Sequence, residues 1–203
     1  MGGNQVRRKK PRVLCLHGFR TSGEILKKMM AKWPHSVLNN FDFDFLDAPF
    51  HARGKSDVES LYDPPYYEWY QVNEMECVHF DECIAYIEDY MIKHGPFDGL
   101  LGFSQGGMLA SVVPPMQREG AAFTSVPKIK FVIIISGDKD FLKERAFMLQ
   151  RSFVNPLHIH HSMGHTVPKL DKKGSETMLK FIEKIKEMFP QELETGLGLK
   201  SAL

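Results

Sequence analysis

The run Gly102-Phe103-Ser104-Gln105-Gly106, with Gly107 next, sets a serine between glycines in the order G-x-S-x-G. The apolar Gly99-Leu100-Leu101 precedes it and Met108-Leu109-Ala110 follows, so the pattern predicts a strand, a sharp turn and a helix. A strained strand-to-helix turn lifts a serine hydroxyl above a sheet, and glycines beside it let neighbouring backbone approach without a Cβ clash. The Gln105 amide, at the start of the helix, would then face the position where an oxyanion forms in acyl transfer. A plain glycine-rich turn is the alternative reading, and the strand–helix setting argues against it.

A serine hydroxyl attacks only when a base takes its proton. In this arrangement the partners follow in chain order serine, acid, histidine. Gly164-His165 comes after a strand expected over residues 157–161 and before the last helix. His165 is therefore expected on a loop at a strand's carboxyl end, where open α/β sheets do their ligand chemistry. His158, His160 and His161 lie on that strand itself, the last two facing opposite ways. Between serine and histidine, Gly137-Asp138-Lys139-Asp140 follows the apolar run 131–135. Asp140 is the expected acid that orients the imidazole, with Asp138 as its alternate, although either residue type also caps helices. The Phe19 amide, in His17-Gly18-Phe19 after the first strand, is the expected second oxyanion donor. His17 is read as shaping that loop in preference to acting as the base. Cys77, His79, Asp81 and Cys83 have ligand-type side chains, but one helix cannot turn all four to one face, so no metal site is expected.

These groups need a scaffold. Strands are expected over residues 12–16, 41–45, 97–103, 131–135 and 157–161, and helices over 22–33, 73–94, 105–117, 141–151 and 174–188. Pro114-Pro115 is expected to end the third helix, and 131–135, the most apolar strand, to be buried on both faces. Strands alternating with helices imply an α/β fold: a mostly parallel sheet with helices on both faces. The stretch from Asp47 to Tyr70 is too long for a plain connection and carries an aromatic cluster. It is expected to be a lid or binding loop, with Tyr66, Tyr67 and Trp69 walling an apolar acyl pocket or, equally, packing in the core.

At 203 residues and 23.3 kDa the chain has the size of one domain. Residues 10–189 are read as that domain, with a flexible basic tail over 1–9 and a flexible polar tail over 190–203. Twenty-six Lys and Arg against 25 Asp and Glu give a net charge of +1, which argues against a nucleic-acid binder working through a broad basic face. No apolar run approaches the roughly 18 residues of a membrane span. Three cysteines without framework spacing read as reduced thiols, and residues 1–10 lack a secretory h-region, so a cytoplasmic or nucleocytoplasmic location is expected. Gly2 and the basic run at 7–10 sketch a lipid anchor, but Val6 stands where a myristoylation signal wants Ser or Thr, and no stable membrane anchoring is expected.

Residues 10–23, Asp47-Ala48-Pro49-Phe50, Gly102 to Gly107, and Gly164-His165-Thr166-Val167-Pro168 together resemble the FSH family of serine hydrolases, within the α/β-hydrolase superfamily. The resemblance runs over about residues 9–188. It implies a small intracellular esterase, without a cofactor, acting on small-molecule carboxylic esters. By position Ser104 resembles the family's nucleophile, His165 its base and Asp140 its acid. One departure stands out. The family places a helix and a further strand between the strand matching 131–135 and the acid, whereas here Asp140 lies only 36 residues after Ser104. One strand–helix unit is therefore expected to be absent, which would displace the acid loop by about one strand spacing, ~4.8 Å. That frames two functions: a carboxylesterase working through Ser104, His165 and Asp140, or a catalytically impaired relative that serves as a ligand-binding or interaction protein.

Overall fold

Arg12–Leu16 forms strand β1, and its side chains alternate cleanly. Val13 and Cys15 enter one apolar cluster, Leu14 and Leu16 the other, and all four are wholly buried. This central strand pairs in parallel with β2 (Asp42–Leu46) on one side and β7 (Gly99–Phe103) on the other; β7 in turn pairs in parallel with β8 (Phe131–Ile135). The sheet order is β2-β1-β7-β8. The computed structural model describes residues 10–72, 77–135 and 153–189.

One sheet face is covered by α1 (Gly23–Met30), α2 (His35–Leu38) and the last helix, α5 (Lys172–Met188). Ser22 starts α1 by accepting the Ile25 amide on its hydroxyl, and Asp171 starts α5 by accepting the Gly174 amide at 2.6 Å. The other face is covered by α3 (Phe80–His94) and α4 (Gln105–Glu119). Between β2 and α3 the chain makes two small antiparallel pairs: β3 (Phe50–His51) with β4 (Tyr67–Glu68), and β5 (Gln71–Val72) with β6 (Cys77–Val78). Among the described residues, no helix is long and apolar enough to cross a membrane.

Four expectations are corrected. The helix expected from residue 73 begins only at Phe80, because His79 holds a left-handed backbone (φ 67°) and residues 77–78 pair as a strand. Helix α4 runs through Pro114-Pro115 to Glu119. Its far end is fastened instead by Gln117, whose side-chain amide donates to the Phe123 and Pro127 carbonyls and accepts from the Ile129 amide. Strand β8 is fully covered on one face and partly on the other: Phe131, Ile133 and Ile135 are buried and Val132 packs against the second cluster, but Ile134 is 37% exposed. Residues 157–161 form no strand in the described sheet. Leu157 is 41% exposed, only Ile159 packs on the core, and the His158 and His160 rings stack on each other. The helix expected over 141–151 lies outside the described residues.

Candidate active site

At the end of β7 the chain turns through Ser104 with φ 53° and ψ −117°, a conformation that costs a non-glycine residue of order 1–3 kcal/mol. The neighbours leave no other path. A Cβ at Gly102 would run into the Gly106 carbonyl, and one at Gly106 into the Leu16 carbonyl, so α4 packs directly against the ends of β7 and β1. The Ser104 amide donates to the Ile135 carbonyl of β8 at 2.9 Å, and the Gly106 amide to the His17 carbonyl at 3.1 Å. Three strands thus share in holding the turn.

His165 meets it from the far end of the chain. Its Nε2 lies 2.8 Å from Ser104 Oγ, and its ring lies 5.3 Å, centroid to centroid, from that of Phe103. The loop carrying it is anchored just beyond: Val167 is wholly buried, and the buried Trp33 indole donates to the Pro168 carbonyl at 3.0 Å. Asp140 and Asp138 lie outside the described residues.

The loop after β1 is built around one peptide. The Gly18 carbonyl accepts two hydrogen bonds, from His17 Nδ1 at 2.8 Å and from the Thr21 hydroxyl at 2.9 Å. In a trans peptide the following N–H, that of Phe19, points the opposite way. Fixing the Gly18 oxygen therefore fixes the direction of the Phe19 donor. The Ser104–Gln105 peptide is held likewise, because the Ser104 carbonyl accepts the Met108 amide at 3.1 Å, and the Gln105 N–H stands in the first turn of α4, where amides lack a helical acceptor.

The tautomer of His17 follows from its partners. The Ala48 amide donates to Nε2 at 3.0 Å, so Nε2 carries no proton and Nδ1 carries it toward Gly18. Burial drives its pKa down to about 4, against smaller upward effects from the Gly18 bond and Asp47. A fully buried, neutral imidazole with both nitrogens engaged is a structural part, not a free base.

The aromatic stretch splits by role. Trp69 is wholly buried, and its indole donates to the His17 carbonyl at 2.8 Å. The Tyr67 ring packs at a tilt against His51, ring centroids 5.0 Å apart, and its amide donates to the Thr21 carbonyl at 2.7 Å. Tyr66 is half-buried and donates its hydroxyl to the Tyr62 carbonyl. Gln105 contributes more than its amide: its side chain accepts from the Trp69 amide and donates to the Tyr70 carbonyl. Thr21 and Trp33 join the site without a local sequence signal, since their partners are a backbone carbonyl three residues away and another 135 residues away.

Known proteins resemble this chain in sequence and in fold. The model of the family described as Serine hydrolase (FSH1) matches residues 6–141. The chain is 34% identical over 123 residues to Esterase FUS5 of Gibberella fujikuroi, covering 57% of this chain and 52% of the relative, so it spans about half the length of that fungal protein. It is 26% identical over 202 residues to Esterase C25G4.2 of Caenorhabditis elegans, covering 80% of this chain and 89% of the relative. Eighty per cent of 203 residues is about 162, so about 40 of those 202 aligned positions stand opposite gaps in this chain. The crystal structure of esterase PE8 shares the fold, with a TM-score of 0.57 at 20% identity over 89% of this chain and 94% of that one.

Proposed function

We propose, from the premise that this chain belongs to the serine hydrolase (FSH1) family, that it cleaves small-molecule carboxylic esters through an acyl-enzyme. The observation that carries the reading is the 2.8 Å contact between Ser104 Oγ, on its strained turn, and His165 Nε2. Ser104 Oγ bonds to the ester carbonyl carbon as its proton passes to His165 Nε2. The carbonyl oxygen becomes an oxyanion, received by the amides of Phe19 and Gln105. The tetrahedral intermediate collapses, the C–O bond to the alcohol breaks, and His165 returns the proton to the leaving oxygen. Water, deprotonated by His165, then attacks the acyl-serine and releases the acid. Asp140 is the proposed orienting carboxylate for His165, and these steps call on no metal or cofactor.

Labelling with a fluorophosphonate probe tests the reading. The wild-type chain should react and Ser104→Ala should not. If Asp140 supplies the acid, Asp140→Asn should slow the reaction by about three to four orders of magnitude, since an asparagine there favours the wrong imidazole tautomer. A folded wild-type chain that fails to label overturns the proposal and leaves the binding-protein reading.

A further inference from the structure

Arg20 follows the proposed oxyanion donor and sits in left-handed backbone, φ 51°, which a side chain with a Cβ adopts only when its surroundings insist. Those surroundings converge on its guanidinium. Nε donates to Glu68 Oε1 at 2.7 Å, the two terminal nitrogens donate to the Lys55 and Arg53 carbonyls at 3.0 Å each, and the group lies over the Phe19 ring, 4.7 Å from its centroid. Glu68 itself is wholly buried. Its Oε1 also accepts the Arg53 amide, and its Oε2 accepts Gln71 Nε2 at 2.6 Å. Burial alone would raise this carboxyl, but the bonds from Gln71, Arg20 and the Arg53 amide outweigh it and keep the group ionised. A wholly buried carboxylate is costly unless paired, and every donor it has collected comes from residues next to the site or from the segment that covers it.

The neighbours of Glu68 in sequence grip the same place. Tyr67 donates to Thr21, Trp69 to His17, and Gln105 clasps the Trp69 and Tyr70 backbone. We infer that Glu68 is a positioning residue for the oxyanion loop: through Arg20 it fixes the 19–20 turn, and with it the Phe19 amide, against the 67–70 segment. It touches no reacting atom. This inference rests on the esterase reading, and a misplacement of about 1 Å in such a donor can cost on the order of 100-fold in rate.

The test compares fluorophosphonate labelling rates, and kcat and KM on p-nitrophenyl acetate, for wild type, Ser104→Ala, Glu68→Gln, Arg20→Lys and the double variant. Arg20→Lys keeps a cation beside Glu68, so it should fold even if Glu68→Gln does not, but it lacks the planar fork that reaches both carbonyls. Each single variant should lose about 10- to 100-fold in kcat and labelling rate, with KM within about twofold. The double variant should be no slower than the worse single, because both act through one clasp. Folded Arg20→Lys labelling at the wild-type rate, or single losses that multiply in the double, overturns the inference alone. A wild-type chain that does not label overturns the esterase reading and the inference with it.

Discussion

His17 ties the stability of the molecule to pH in a way that can be worked out in advance. In the unfolded chain its imidazole titrates near 6.5, and in the folded chain near 4, because burial disfavours the cation. Between those values the unfolded chain binds a proton that the folded chain refuses, so stability falls as pH falls. The contribution is fully present above about pH 6.5 and is lost as pH drops toward 4. A difference of about 2.5 pKa units amounts to about 3 kcal/mol in all, of which about 2.5 kcal/mol is gone by pH 4.5. The geometry supplies the reason: protonation would put a hydrogen on Nε2, straight against the Ala48 N–H that now donates to it. The measurement is urea unfolding of wild type and His17→Asn at several pH values from 7 to 4.5. His17→Asn should be the less stable at pH 7, and its deficit should shrink by about 2.5 kcal/mol by pH 4.5, since the carboxylates common to both cancel in the difference. A deficit that stays constant across that range refutes the assignment of His17 as a neutral structural group.

Thr21→Val removes one of the two bonds on the Gly18 carbonyl at nearly constant shape. It should cost about 1 kcal/mol of stability and lower kcat by about 5- to 30-fold with KM unchanged, less than the hundred-fold or more expected when an oxyanion donor is lost outright. Steady-state kinetics on p-nitrophenyl acetate read the split, and an unchanged kcat would separate the Gly18 peptide from catalysis. Trp33→Phe leaves the buried Pro168 carbonyl without its donor and should cost about 1–3 kcal/mol. Because that bond anchors the His165 loop, kcat should fall by about tenfold while the fluorophosphonate still reacts only at Ser104. Thermal unfolding and labelling of the same samples measure both effects.

The proposed nucleophile and base, which the structure brings within 2.8 Å, were legible in the sequence because each sits in a local pattern: a serine between glycines after a strand, and a histidine after a glycine before the last helix. The sheet was legible for the same reason, since β1 and β7 are short apolar runs that each end at a turn. What the sequence concealed are the parts fixed by distant partners. Nothing near Glu68 announces that it meets Arg20 48 residues away, and nothing near Trp33 announces Pro168. Helix α3 starts later than the apolar spacing of Met75 and Val78 suggests, because Cys77–Val78 pair with β5 and His79 then turns left-handed. Residues 157–161 misled in the opposite sense. They alternate like a strand, yet three of the five are histidines and only Ile159 has a core to enter.

The expected loss of one strand–helix unit would bear unevenly on the proposed site. The turn at Ser104, the Gly18 peptide, His17 with Ala48, and the 67–70 segment are joined to one another by bonds made entirely within residues 10–135. The His165 loop is anchored separately, through Trp33 in the turn between α1 and α2. The proposed acid, Asp140, lies outside the described residues. Losing the carboxylate of a serine–histidine pair slows the chemistry by about 10⁴ but leaves the oxyanion hole, and its share of the rate enhancement, in place. On the proposed mechanism, a displaced acid would cost rate at one residue while the bonds among the Ser104 turn, the Gly18 peptide and the 67–70 segment persist. The ratio between wild type and Asp140→Asn then measures how much of that rate Asp140 supplies.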